Sequence, residues 1–234
     1  MYKRQPLSRA AFKGQLLACK ALLQRGADVN YRDSRGRSAL SYAAEGGSEA
    51  VARFLLQNGA LVDPQDSVKR TPLCWAASTG SLNVATLLLE HKANINQADK
   101  ENVTPLLGAA RAGSEPLISL LITRGANVNS MGYADDTPLS RAVEAKLVES
   151  VRLLLGAGAD ANRGVKPAHP LTQATIVGSK EIVHLLLSAG SDVHQRDRAG
   201  VPPLTYAAQN GWTDVVRSLL DKGAEPNDTR PGHR

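Results

Sequence analysis

Thr71-Pro72-Leu73-Cys74-Trp75-Ala76-Ala77-Ser78-Thr79-Gly80, followed by the segment from Ser81 to Ala93, decides the fold, because this unit returns along the whole chain. Thr71-Pro72 reads as a helix start: the hydroxyl caps, and proline sits at the first helical position, where a missing N–H is no loss. Gly80 stops that helix after about two turns. Small Ala76 and Ala77 let a neighbouring helix approach closely. Ser81 is expected to cap a second helix, in which Val84, Leu87 and Leu88 recur at helical spacing on one face. A helix stop and a polar, turn-rich connector then lead to the next unit.

Outward from this copy, a Gly-Ala stop recurs at Gly26-Ala27, Gly59-Ala60, Gly125-Ala126, Gly158-Ala159 and Gly223-Ala224. Lys92-Ala93 and Gly190-Ser191 fill the gaps. The step is 33 residues, apart from one of 32 between Gly158 and Gly190. Leu7, Leu40, Leu73, Leu106, Leu139, Leu171 and Leu204 keep the same beat, and all but Leu40 follow a proline. Two helices this short cannot bury an apolar face alone, whereas stacking on a copy buries both. The expectation is one array over residues 1–227, with copies at 1–32, 33–65, 66–98, 99–131, 132–164, 165–196 and 197–227. A flexible tail is expected at 228–234.

Thr71-Pro72-Leu73, Ala76-Ala77, Gly80, Leu88-Leu89 and Ala93-Asn94-Ile95-Asn96 together resemble the ankyrin repeat, and the resemblance covers residues 6–227. It implies an all-α repeat solenoid of stacked helix-turn-helix units joined by β-hairpin fingers, with a concave face built from fingers and first helices. It also implies binding of another macromolecule, usually a protein, without catalysis. The sequence departs from the family pattern in places. The usual histidine after Pro-Leu is replaced by Ser8, Ser41, Cys74, Leu107, Ser140, Thr172 and Thr205, so the family's buried histidine network is expected to be absent. Lys92 and Lys146 stand where glycine belongs, and a non-glycine residue there is strained by about 1 kcal/mol or needs another cap. Copy six is one residue short and carries Pro167 and Pro170, so copies five and six are the expected weak point.

Composition fits a stack of thin interfaces: 42% of residues are hydrophobic but only 4% aromatic. No apolar run reaches membrane-spanning length, and no apolar signal core follows Met1. Cys19 and Cys74 lie two layers apart, beyond disulfide reach, and free thiols point to a reducing compartment, cytosol or nucleus. The net charge of +6 is concentrated at one end. Residues 1–37 hold Lys3, Arg4, Arg9, Lys13, Lys20, Arg25, Arg32, Arg35 and Arg37 against Asp28 and Asp33 alone. Such an end is either a solvated cap or a dock for an acidic partner, nucleic acid or an anionic surface. Nucleic acid lacks support, because Tyr2, Phe12 and Tyr31 form no stacking motif.

Chemistry finds no residues to stand on. His91, His169, His184, His194 and His233 show no metal-ligand spacing, so neither metal nor cofactor is expected. Asp135-Asp136 reads as a turn, and His169, in place of the usual threonine, as a local hydrogen-bonding group. No phosphate loop, nucleophile elbow or dinucleotide fingerprint occurs. An enzyme and a small-molecule substrate are therefore not expected.

Binding must use what packing leaves free. By the resemblance, the fingers offer Ser34, Arg35, Arg37, Val68, Lys69, Arg70, Lys100, Glu101, Val103, Met131, Tyr133, Asp136, Arg198 and Val201. The first helices offer Phe12, Glu45, Ser78, Arg111, Glu144, Ile176 and Gln209. The favoured partner-binding set is Arg35, Arg37, Val68, Arg70, Val103, Arg111, Met131, Tyr133, Glu144 and Ile176. Trp75 is expected to pack between repeats and Trp212 to cover the C-terminal end. Asn30 matches a pattern open to hydroxylation, although bonding of the turn between repeats explains it. The reading is a scaffold for a protein or peptide. The alternatives are binding of nucleic acid or an anionic surface through the basic end, and a targeting segment of a longer protein.

Overall fold

The computed structural model describes residues 5–164 and 169–227, and Lys3, Arg4, Pro167 and the expected tail lie outside them. Two compact units divide at Asn127 and Val128. In the first unit, four helices lie in one layer: α1 (Pro6–Phe12), α3 (Ala39–Glu45), α5 (Pro72–Ser78) and α7 (Pro105–Arg111). Their partners α2 (Leu16–Gln24), α4 (Glu49–Gln57), α6 (Leu82–Glu90) and α8 (Glu115–Thr123) form the other. Each first helix packs on the next first helix and each second helix on the next second helix. The second unit repeats the scheme with α9 (Pro138–Glu144), α11 (Pro170–Val177) and α13 (Pro203–Gln209) in one layer. The other layer holds α10 (Val148–Gly156), α12 (Lys180–Ser188) and α14 (Thr213–Asp221).

The helix starts follow the sequence at four copies. Ser38, Thr71, Thr104 and Thr137 accept the N–H of Ser41, Cys74, Leu107 and Ser140, each cap contributing about 1 kcal/mol. His169 caps no backbone N–H; its Nδ1 lies 3.2 Å from the Asn162 carbonyl instead. Ser81 also departs from expectation. Its hydroxyl caps nothing and pairs with Thr79 Oγ1 at 2.9 Å, because that closer partner takes it from the helix end. Lys92 and Lys146 adopt the left-handed conformation that the glycine pattern demands, with φ of 64° and 57°.

The core is a row of single layers. Leu40, Leu73 and Leu106 are fully buried in the first unit, as is Leu171 in the second. Burying one such side chain stabilises by roughly 1.5–3 kcal/mol. Ala43-Ala44, Ala76-Ala77 and Ala109-Ala110 are equally buried and let first helices approach. At Gly46, after α3, an added Cβ would sit on the Phe12 backbone carbonyl of the preceding repeat.

Turn asparagines tie one repeat to the next. Asn30 Nδ2 donates to the Gly59 carbonyl at 2.9 Å, while its Oδ1 accepts the Leu61 N–H at 2.8 Å. Asn129 makes the same pair of bonds to Gly158 and Asp160. The histidine position keeps a bridging role with smaller groups: Cys74 Sγ donates to the Gln97 carbonyl at 3.4 Å, and Thr172 Oγ1 to that of Gln195 at 2.8 Å.

The expected β-hairpin fingers are not strands among the described residues. Those at residues 33–37, 66–70, 99–103 and 197–201 are five-residue turns held by two backbone bonds, for example the Asp33 N–H to the Arg37 carbonyl at 3.0 Å with the Gly36 N–H to the Asp33 carbonyl at 2.8 Å. Both bonds fall within the reversal itself, so the hairpin closes without flanking strands long enough for a ladder. Neighbouring fingers are joined by the Ser67 N–H to the Arg35 carbonyl and the Lys100 N–H to that of Val68.

Candidate functional site: an aspartate-centred finger and the first-helix column

One aspartate organises each of the fingers at residues 33–37, 66–70, 99–103 and 197–201. Asp33 Oδ1 accepts the N–H of Arg35 at 2.9 Å and of Arg37 at 3.0 Å. Asp66 does the same for Val68 and Arg70, Asp99 for Glu101 and Val103, and Asp197 for Ala199 and Val201. The second oxygen is left for the first helix nine residues on. Asp33 Oδ2 accepts the Tyr42 hydroxyl at 2.6 Å, Asp66 Oδ2 the Trp75 Nε1–H at 3.1 Å, and Asp197 Oδ2 the Tyr206 hydroxyl at 2.6 Å. Partial burial by itself pushes the Asp33 carboxyl up. The Tyr42 hydroxyl, the Arg37 and Arg35 amides and the Arg37 charge outweigh it, so the carboxyl is held below its ordinary value.

Arg37 is the largest correction to the sequence reading. Offered as a surface contact, it is 3% exposed. Its guanidinium lies between the rings of Tyr42 and Trp75, 3.9 and 3.8 Å from their centroids, and its Nη2 meets Glu45 Oε2 at 2.6 Å. Burial between two aromatic faces is available to arginine because its planar cation is weakly hydrated. Asp136 and Val201 are likewise buried rather than presented. Asp136 accepts from Arg141 Nε at 2.6 Å, and that bond raises the arginine's pKa. Trp75 stacks between repeats as expected but stays half-exposed. Trp212 carries Lys180 of the preceding repeat 5.8 Å from its ring centroid.

At Asp99 the scheme changes. In the other three copies with this aspartate the position holds Tyr42, Trp75 and Tyr206; here it is Gly108, so no ring reaches the second oxygen. Asp99 Oδ2 accepts instead from Arg70 Nε at 3.0 Å, and the Arg70 guanidinium lies 5.0 Å from the Trp75 ring. Where the missing side chain would stand there is a cleft of about 150 Å³, lined by Arg70, Cys74, Ser78, Asp99, Val103, Thr104, Gly108, Arg111 and Ala112. Three members of the proposed binding set, Arg70, Val103 and Arg111, are thus brought together on its walls.

The other members are placed separately. Arg35 and Val68 are exposed in the fingers of the first unit. Met131 and Tyr133 are exposed in one finger of the second, Tyr133 at 78%. Ile176 is exposed on α11, and Glu144 is exposed but pairs with Arg141 Nη1 at 2.7 Å. Exposed Leu17, Leu61 and Leu220 lie off these elements. Leu220 falls in an apolar column and was not legible as surface, whereas Leu17 and Leu61 occupy columns that are polar in most other copies and could have been read as exposed. Of the basic N-terminal set, Arg37 is interior and Arg32 Nε donates to the Gly36 carbonyl at 2.8 Å. Lys13 and Lys20 lie over the rings of Phe12 and Phe54.

Among the described residues, no group of His, Cys, Asp and Glu has the geometry to hold a metal ion. No helix there is long and apolar enough to cross a membrane. Cys19 and Cys74 are free and buried, and burial pushes both thiols up, which makes them poor nucleophiles.

The model of ankyrin repeats in sets of three copies matches residues 7–99, 93–165 and 164–230. The chain belongs to the ankyrin-repeat family. The human ASB11 ankyrin repeat domain superimposes with a TM-score of 0.81 at 32% identity, covering 95% of this chain and all of that one. An ankyrin repeat domain from Acinetobacter baumannii gives 0.71 at 30% identity over 80% of this chain and 98% of its own. Among curated relatives, human Protein phosphatase 1 regulatory subunit 27 is 42% identical over 59 residues, 25% of this chain and 38% of that protein. Its mouse counterpart is 42% identical over 55 residues, 24% of this chain and 36% of its own. The match therefore spans well under half of these two relatives. The ankyrin framework accounts for the buried leucines, the small alanine pairs and the turn asparagines.

Proposed function

We propose that this ankyrin array is a non-catalytic scaffold that takes a partner protein or peptide on its fingers and first helices. One observation carries the reading: Met131 and Tyr133 stand exposed together in a single finger, at 39% and 78%. Methionine and aromatic side chains are enriched in interface cores, where burying them contributes most of the affinity. Val68 and Ile176 extend the same pattern in a finger and on a first helix. The curated relatives are named as regulatory subunits of a phosphatase, a description that fits action through binding. Exposed Arg35 and Arg111 favour an acidic partner, and free buried thiols suit the cytosol or nucleus.

The test is affinity capture from native extract with two variants beside the parent chain. One carries Val68→Ser, Met131→Ser, Tyr133→Ser and Ile176→Ser. The other carries Leu17→Ser and Leu220→Ser, which are exposed on second helices. The reading expects the first variant to lose the captured protein and the second to keep it. Equal recovery by both, or recovery of nucleic acid alone, would move the function to the basic end.

A further inference from the structure

Gly108 stands in the middle of α7, where glycine costs helix stability relative to alanine. No backbone constraint explains it. Its φ is not left-handed, and an added Cβ would meet Ala77 Cβ and Ser78 N at 3.6 Å, ordinary contact. What the glycine does provide is the cleft beside Asp99.

The preceding repeats show what such a space holds. Along them the groups alternate: the Tyr42 ring, the Arg37 guanidinium, the Trp75 ring and the Arg70 guanidinium. Position 108 is the next ring position, and it is vacant. Arg70 lines the cleft while also lying near Trp75, so it separates that ring from the vacancy. Asp99, 5% exposed, borders the space with the carboxylate that elsewhere accepts a ring O–H or N–H. The cleft's volume of about 150 Å³ is comparable to a cavity that admits a benzene ring. Ser78, Arg111 and Ala112 are exposed at its rim, so it opens to solvent.

We propose that the Gly108 cleft receives an aromatic side chain from the bound polypeptide, which stacks on Arg70 as Trp75 stacks on Arg37. A tyrosine or tryptophan would in addition donate to Asp99, as Tyr42 donates to Asp33 and Trp75 to Asp66. The partner thereby supplies the ring that this repeat omits. The assignment rests on the protein-binding reading and names the side chain that anchors it.

The test uses the full chain and two probes. N-acetyltryptophanamide and N-acetyltyrosinamide are titrated into isotope-labelled protein, with N-acetylleucinamide as the control. Shift changes are expected at the amides of Asp99, Gly108 and Ala112 for the aromatic probes alone. Gly108→Trp, which fills the cleft with the chain's own ring, should abolish them. Arg70→Met, which keeps bulk at the wall but removes the cation, should weaken them about threefold or more. Absence of shifts with the aromatic probes, or their persistence in folded Gly108→Trp, overturns the proposal, and Arg70→Met gives the same decision should Gly108→Trp not fold. A random-peptide selection on the parent chain separates this failure from failure of the scaffold reading. Peptides that bind the parent and Gly108→Trp equally leave a scaffold without this pocket. Peptides rich in one aromatic residue, bound at least about tenfold more weakly by Gly108→Trp, support both.

Discussion

Arg37→Ala should destabilise the first unit by about 2–4 kcal/mol, and the figure follows from what surrounds the side chain. Two ring contacts at 3.9 and 3.8 Å are lost, each contributing about 0.5–2 kcal/mol when largely desolvated. The 2.6 Å bond to Glu45 is charge-assisted, a class that contributes about 1.5–3 kcal/mol. Opposing these, Glu45 keeps a quarter of its side chain in solvent and can rehydrate, so no fully buried charge is stranded. Arg37 Nε is also buried without a hydrogen-bond partner, and removing it relieves a cost of about 1–3 kcal/mol. Urea unfolding followed by circular dichroism gives the midpoint and slope. Arg35→Ala, in the same finger but exposed, is the comparison and should stay within about 0.5 kcal/mol of the parent. If Arg37→Ala also falls within that margin, the stacked cation is not a structural element and the burial argument fails.

Three further outcomes follow from the same structure. Gly46→Ala should destabilise by about 1–3 kcal/mol in thermal unfolding, because its Cβ meets the Phe12 carbonyl, and backbone cannot move aside cheaply. Lys92→Gly and Lys146→Gly should each stabilise by about 0.5–1 kcal/mol by relieving a left-handed lysine, with slower hydrogen exchange in α9 and α10 for the second. Acid should unfold the first unit in a manner that Asp33 governs. Its folded pKa lies below its unfolded one, so its contribution is complete above the ordinary carboxylate range of about 4 and disappears as pH falls through the lower folded value. Asp33→Asn should flatten the stability–pH curve in that acid window and leave its shape near neutrality unchanged.

The framework was legible because it repeats. The Pro-Leu starts, the alanine pairs and the Gly-Ala stops each do one local job, and stacking requires the same job at every step. The left-handed lysines at 92 and 146 were legible for the same reason, as residues occupying a column meant for glycine. The finger's reversal was legible but the extent of its pairing was not, since turn residues announce a reversal but not how much pairing follows it. Arg37 was misread because a charged residue in a connector suggests solvent, whereas its burial depends on two rings from successive repeats. The Asp99–Gly108 departure lay in the sequence throughout. Setting Asp33, Asp66, Asp99 and Asp197 beside Tyr42, Trp75, Gly108 and Tyr206 shows one missing ring. Its meaning needed the hydrogen bonds that join those two columns, and periodicity alone does not supply them.

The measurement that tests the scaffold most directly is hydrogen–deuterium exchange of the full chain, free and bound to its captured partner. The account predicts slowed exchange in the fingers, including residues 66–70, 99–103 and 131–136, and along the first helices α5, α7 and α11. Second helices α4, α6 and α12 should be unchanged. Protection confined to those second helices, or to residues 5–37 and lost on adding salt, would contradict it.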